Sequence, residues 1–273
     1  MNMQAKKIIF LNQKGGVGKT TTAVNVGSAL AKEGYKVLLV DLDSQGNLSS
    51  SVSADTSKPG IYELLAGEAD VSAVQTTPVD GLFCLSGGIN MAGLAVELVD
   101  EVDREFFLKN VLSPLDDKFD FIFADCPPAL DLVTMNALCW ANFVVIPMQC
   151  EFFAMEGLSL LLRTINSVKK KLNPGLEILG IVFTMYSKRA NMNNEVVEDI
   201  STYFKELVFD TKIPRNVRLS EAPSHGLPIN AYDNSCSGAK AYAALAKEVL
   251  YTQLYEDTEC HAYPVYADLG RHV

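Results

Sequence analysis

Short, almost uninterrupted apolar runs recur along the chain, and amphipathic stretches separate them. Ile8–Leu11, Val37–Leu42, Leu82–Leu85, Phe119–Asp125, Phe143–Pro147 and Ile178–Thr184 read as strands, with a further short one near Phe209. Between them, Thr20–Glu33, Ala154–Leu172, Asn193–Leu207 and Gly238–Gln253 carry the 3.6-residue apolar period of helices. Strands that are apolar on both faces and alternate with helices predict an α/β fold, with a mostly parallel twisted sheet covered by helices on both sides. No linker, repeat or low-complexity block divides the sequence. It is therefore expected to form a single domain over residues 1–254. Residues 255–273 lack periodicity and are expected to form a mobile acidic tail.

Composition narrows this picture. A chain of 273 residues can bury a sizeable core. The N-terminus has no apolar signal core, and no apolar stretch reaches the roughly 20 residues of a membrane span. A soluble cytoplasmic location is the expectation. The six cysteines have no C-x-x-C spacing or neighbouring His pair, so they read as core thiols rather than ligands of a bridging iron–sulfur cluster. The net charge of −10 argues against wholesale nucleic-acid binding, but it is unevenly distributed. Residues 1–162 hold 10 Lys/Arg against 20 Asp/Glu, whereas residues 163–248 hold 12 against 9. A local phosphate-binding patch in that later third stays compatible with the sequence, as does an ordinary mixed surface.

The densest chemistry lies between the first strand and the first helix, in Gln13-Lys14-Gly15-Gly16-Val17-Gly18-Lys19-Thr20. Strand, glycine-rich turn and helix together form the setting of a phosphate-binding loop. Gly15, Gly16 and Gly18 let backbone amides turn onto phosphate oxygens, and the helix beginning near Lys19 adds its positive dipole end. Lys19 would lie along the β- and γ-phosphates of ATP, Thr20 would ligand Mg²⁺, and Thr21 would reach the α-phosphate. Lys14 is an extra charge in a tight turn. It makes sense if its ammonium meets phosphate, in its own site or across a dimer.

Two carboxylate regions complete the candidate chemistry. Asp43 lies just past a buried strand, where it can orient the water that attacks the γ-phosphate. Asp41, nearer the strand, can support the metal through water or serve as a structural acid. Asp125 ends another apolar strand, and a buried carboxylate needs a cation, which Mg²⁺ supplies.

The K-G-G-V-G-K-T form of the loop is a deviant Walker A motif, and the chain resembles the ParA/Soj partition ATPases of the ParA/MinD group. Val37–Asn47 resembles that family's D-x-D-P-Q-G-N segment, Phe121–Pro128 its Walker B strand, and Ile213–Pro228 its most recognisable C-terminal segment. The resemblance spans about residues 6 to 250. It implies that Lys14 reaches the phosphates of a partner subunit in an ATP-sandwiched homodimer. Gly15 to Thr21, Val17 included, would form the phosphate cradle, while Pro214, Arg215 and Asn216 would line the adenine. The same resemblance implies non-specific DNA binding through Arg189 and Arg218, joined by Lys188, Lys212 and Lys240. It also implies hydrolysis stimulated by a ParB-like partner, and hence association with the nucleoid.

Several positions depart from the family pattern. Ser44 replaces a proline, Asp131 falls where glycine is common, and Cys236-Ser237-Gly238 lacks an arginine often found there. The alternative, a MinD-like positioner bound to membrane, requires a basic amphipathic C-terminal helix. Residues 255–273 instead carry Glu256, Asp257, Glu259 and Asp268 against Arg271, so no membrane partner is expected.

Overall fold

The computed structural model describes residues 4–151 and 154–255. Seven strands form one sheet: β1 (Lys6–Phe10), β2 (Val37–Asp41), β3 (Gln75–Thr76), β4 (Leu82–Leu85), β5 (Phe121–Asp125), β6 (Phe143–Gln149) and β7 (Glu177–Thr184). Their order across the sheet is β3-β4-β2-β5-β1-β6-β7. Every pairing is parallel except β3 with β4. The parallel, doubly covered sheet expected from the sequence is what forms.

The helices among the described residues are α1 (Lys19–Lys32), α2 (Asn47–Ser51), α3 (Ile61–Leu65), α4 (Met91–Glu97), α5 (Phe107–Leu112), α6 (Leu132–Trp140), α7 (Ala154–Lys171), α8 (Asn191–Phe204), α9 (Val217–Glu221), α10 (Ile229–Tyr232) and α11 (Ser237–Tyr255). One apolar cluster gathers α3 to α8 on one face of the sheet. The other gathers α1, α2 and α9 to α11 on the opposite face. Helix α1 is buried on almost every side, because small residues let it lie close to the sheet. A Cβ added to Gly27 would meet Leu39 Cδ2 at 3.0 Å. Helix α11 packs over α1 with a stripe of Ala239, Tyr242, Leu245, Ala246 and Val249, which recur at helical spacing.

Beyond shifts of one or two residues at strand ends, such as β1 at Lys6–Phe10 rather than Ile8–Leu11, three departures from the sequence reading stand out. Strand β5 starts at Phe121 rather than Phe119; just before it, the Asp120 side chain accepts the Lys36 amide and ties the chain to the residue that precedes β2. Near Phe209 there is a single bridge, Val208 to Ile181, instead of a strand. The edge strand β3 was not foreseen. It is two residues long and neither is apolar. The proposed tail begins at Tyr255, which ends α11, and its remaining residues, 256–273, lie outside the described part.

Candidate nucleotide site

Strand β1 lies between β5 and β6, so the loop that follows it emerges between their carboxyl ends. That is where open α/β sheets take ligands. Phe10 sits beside Asp125 in the register, and Asp41 of β2 sits on that residue's other side. The loop Gln13–Thr20, Asp41 and Asp125 are thereby brought to one edge of the sheet. Asp43 follows Asp41 by two residues.

The loop is held by groups from distant strands. Thr184 at the end of β7 donates its hydroxyl to Val17 O at 2.7 Å, and Gln149 at the end of β6 donates to Gly16 O at 2.8 Å. Asn12 Nδ2 donates to Pro147 O at 2.8 Å, and its Oδ1 accepts the Lys14 amide at 3.0 Å. Gly18 has φ +87°, a left-handed conformation that side chains resist, and it caps α1. Its carbonyl accepts both the Thr22 amide and the Thr22 hydroxyl. With these carbonyls tied back, the free first-turn amides of α1 form an anion-seeking helix end. Behind the loop, the Tyr242 hydroxyl of α11 lies 3.3 Å from Thr22 Oγ1.

Lys19 is only 7% exposed, and among the described residues no carboxylate pairs with it. Thr20 Oγ1 donates to Asp125 Oδ2 at 2.5 Å. Asp125 is fully buried, and its Oδ1 has no partner among the described residues. Burial, with Asp41 nearby, pushes its pKa up to about 8. An orphaned carboxylate oxygen beside a threonine hydroxyl suits a hard, oxygen-seeking cation such as Mg²⁺. No group of three or more His, Cys, Asp or Glu suited to a metal occurs among the described residues. An Mg²⁺ bound here would therefore take its remaining oxygens from phosphate and water.

Asp41 is also buried, and Ser49 at the start of α2 binds it twice, through its amide at 2.9 Å and its hydroxyl at 2.7 Å. The same hydroxyl accepts the Gly87 amide at 3.0 Å. Of the two sequence readings of Asp41, this geometry favours the structural one: it anchors α2 to the sheet. Desolvation raises its pKa to about 6 despite those donors. Asp43 is half-buried; its Oδ1 accepts the Gln45 amide at 3.0 Å. Neither Ser49 nor the loop supports Asn12, Gln149 and Thr184 were found from sequence. For Asn12, Gln149 and Thr184 the available signal was a polar residue at, or just past, the carboxyl end of an apolar strand; Ser49, inside α2, carried none.

In the isolated chain Lys14 is engaged by a carboxylate. Its ammonium forms an ion pair with Glu151, and both side chains are about half exposed. Pro214 bridges Tyr186, and Arg215 is exposed. Asn216 caps α9: its Oδ1 accepts the Arg218 amide at 2.8 Å, while its Nδ2 donates to Ser237 Oγ at 2.8 Å. One lone pair and one N–H remain for a base edge. Arg218 is paired with Glu221 at 2.8 Å and Asp233 at 3.7 Å, which lowers its value as a phosphate contact. Arg189, Lys188 and Lys240 are exposed, and Lys212 lies 5.9 Å from the Tyr186 ring centroid. Asp131, the expected departure after the Cys126-Pro127-Pro128 turn, caps α6 by accepting the Thr134 amide at 3.1 Å.

Four of the cysteines, Cys84, Cys126, Cys139 and Cys150, are buried free thiols, and Cys236 is partly covered. Cys260 lies outside the described residues. No described helix is long and apolar enough to cross a membrane.

An AAA domain family model matches residues 5–178. The chromosome-partitioning ATPase Soj of Treponema pallidum is 53% identical over 90% of this chain and 97% of its own length. The sporulation initiation inhibitor protein Soj of Bacillus subtilis is 48% identical over 89% of this chain and 98% of its own. Among solved structures, the cobyrinic acid a,c-diamide synthase of Mycobacterium smegmatis with bound ATP analogue and magnesium matches at TM-score 0.80. It is 36% identical, over 92% of this chain and 96% of the other. A phosphate loop in front of an orphaned buried carboxylate, on a sheet of this order, thus coincides with close relatedness over nearly the whole sequence: the chain belongs to the ParA/Soj family of chromosome-partitioning ATPases.

Proposed function

We propose that the protein binds ATP with Mg²⁺, forms an ATP-sandwiched homodimer, and holds DNA without sequence preference. Hydrolysis, stimulated by a ParB-like partner, releases the dimer, and residues 1–254 act as the ATPase unit. The observation that carries this reading is the conjunction of a buried Lys19 and the Thr20–Asp125 contact, where, among the described residues, neither the Lys19 ammonium has a carboxylate partner nor Asp125 Oδ1 a hydrogen bond. Mg²⁺ would be held by Thr20 and, directly or through water, by Asp125, and when bound it offsets charge on the β- and γ-phosphates.

Each residue then has a distinct task. Amides of Gly15 to Thr21, across Gly16, Val17 and Gly18, cradle the phosphates. Lys19 neutralises them, and Thr21 reaches the α-phosphate. Asp43 orients the attacking water, because its Oδ2 is not used by the Gln45 amide that fixes Oδ1. Lys14 leaves Glu151 for the phosphates of the partner subunit. Pro214, Arg215 and Asn216 border the adenine, and Arg189, Arg218 and Lys240 contact DNA phosphates with other exposed lysines.

Sedimentation with and without ATP tests the central step. ATP raises the dimer fraction of the wild-type chain and leaves Lys14→Ala monomeric. A dimer fraction indifferent to ATP, or a Lys14→Ala chain that dimerises normally, overturns the sandwich.

A further inference from the structure

Among the buried side chains that carry a hydroxyl, Tyr242 of α11 has no part in the proposed reaction. It is 2% exposed and belongs to the apolar cluster that packs α1 and α11 onto the sheet. Phenylalanine would fill that space without taking a hydroxyl out of water, which costs free energy unless the hydroxyl is bonded. The bond it makes is to Thr22 of α1, which is itself fully buried and whose Oγ1 lies 3.3 Å away.

The direction of that bond follows from the proton count. A threonine hydroxyl has one proton, and Thr22 gives it to Gly18 O at 2.7 Å. Tyr242 is therefore the donor and Thr22 Oγ1 the acceptor, so two hydroxyls in series end on one carbonyl. Hydrogen bonds in such a chain polarise and strengthen one another. Thr202 in α8 and Thr252 in α11 make the same back-bond to the carbonyl four residues earlier, with no second donor among the described residues.

The carbonyl at the end of this relay belongs to the phosphate loop. Gly18 is the left-handed residue before α1, at φ +87°, and Lys19 opens the helix. Their shared peptide is planar and trans, so its C=O and N–H point in opposite directions. Gly18 O also accepts the Thr22 amide at 2.9 Å, so it is held toward the helix and the Lys19 N–H is turned out of its N-terminal end. A rotation of this one peptide would take that donor away from an anion bound there.

We propose that Tyr242 is a positioning residue for nucleotide binding: acting through Thr22, it holds Gly18 O back and keeps the Lys19 amide turned toward the phosphates. This role rests on the reading of Gly15–Thr21 as the phosphate cradle. It places one determinant of nucleotide affinity on α11, 220 positions from the residue it acts through.

Calorimetric titration of the full-length chain with ADP and Mg²⁺ tests the role, because no turnover disturbs the equilibrium. Tyr242→Phe keeps the ring in place and weakens ADP binding about three- to tenfold, the range for loss of one hydrogen bond. In steady-state hydrolysis the KM for ATP rises by a similar factor while kcat stays within about twofold, the pattern of an interaction made equally in ground and transition states. A role confined to stability would instead lower the active fraction and leave affinity unchanged. Thr22→Ser, which keeps the hydroxyl, binds ADP more tightly than Thr22→Val, which keeps only the shape. Adding Tyr242→Phe costs the full factor on Thr22→Ser but less than about twofold on Thr22→Val, where the relay is already cut. ADP affinity unchanged by Tyr242→Phe overturns the proposal, as does an equal loss in the Thr22→Val background. Equal affinities of Thr22→Ser and Thr22→Val overturn it without reference to Tyr242→Phe. A wild-type chain that binds no ADP overturns the phosphate-cradle reading as well.

Discussion

Thr20 and Asp125 are 105 positions apart in sequence, yet their side chains meet at 2.5 Å. The contact joins the first turn of α1 to the end of β5, and it leaves one carboxylate oxygen buried and unbonded. In the ATP-bound protein that oxygen is expected to face the metal. Asp125→Asn removes the charge and keeps the shape. We predict that the Mg²⁺ concentration for half-maximal ATP hydrolysis rises about 10–100-fold, as when an ordered ligand or its support is lost. A metal titration of turnover checks this, and an unchanged midpoint removes Asp125 from the site.

Asp43 has a different part to play. Asp43→Ala is expected to bind ATP and dimerise, while hydrolysis falls by about 10² to 10⁴, the usual contribution of a positioned acid–base group. Single-turnover kinetics separates the two properties. Hydrolysis at the wild-type rate places the water-orienting group elsewhere.

The ion pair between Lys14 and Glu151 competes with the proposed reach of Lys14 across the dimer. Both groups are half exposed, so the pair contributes at most about 1 kcal/mol. Glu151→Gln therefore lowers the ATP concentration needed for half-dimerisation by no more than about fivefold. Light scattering across an ATP series reads the midpoint, and a shift to higher ATP contradicts the competition.

The basic residues should not be equivalent on DNA. Arg218 already faces Glu221 and Asp233, whereas Lys240 has no carboxylate partner among the described residues. Lys240→Ala is expected to reduce the salt slope of DNA binding by about 1, with Arg218→Ala having a smaller effect. Affinities measured over a salt series give the slopes, and a larger loss from Arg218 reverses the ranking.

Asp41 makes stability depend on pH. Burial raises its pKa to about 6, above the ordinary carboxylate value, so the folded state holds its proton more tightly than the unfolded state. The resulting stabilisation is complete below about pH 4 and is lost as pH rises through 6. Compared with Asp41→Asn, the nucleotide-free wild-type chain loses up to about 3 kcal/mol across that interval. Denaturant midpoints at several pH values test the sign. Parallel pH profiles for the two proteins would show that Asp41 does not titrate there.

The sheet was legible because its strands are buried on both faces, which leaves continuous apolar runs such as Val37–Leu42 and Ile178–Thr184 in plain view. Periodicity could not find α2, α3, α9 or α10, since helices of four or five residues barely complete a turn. The phosphate loop was equally plain, because glycines and lysines are constrained at adjacent positions. Its supports were not. Thr184 and Gln149 act on a loop more than 130 residues earlier, and their place at the ends of apolar strands marks them as site candidates without showing which segment's carbonyl they prop. Lys14 shows the same limit: its position in the loop was visible, but Glu151, its partner in the isolated subunit, was not.

Those distant supports also bear on the order in which the site is made. The phosphate loop comes earlier in the sequence than its supports, for Thr184 braces it from β7 and Tyr242 backs it from α11. During synthesis the loop is therefore made well before the residues that give it its shape. The braced form of the loop is complete only once residues as late as Tyr242 have joined the fold.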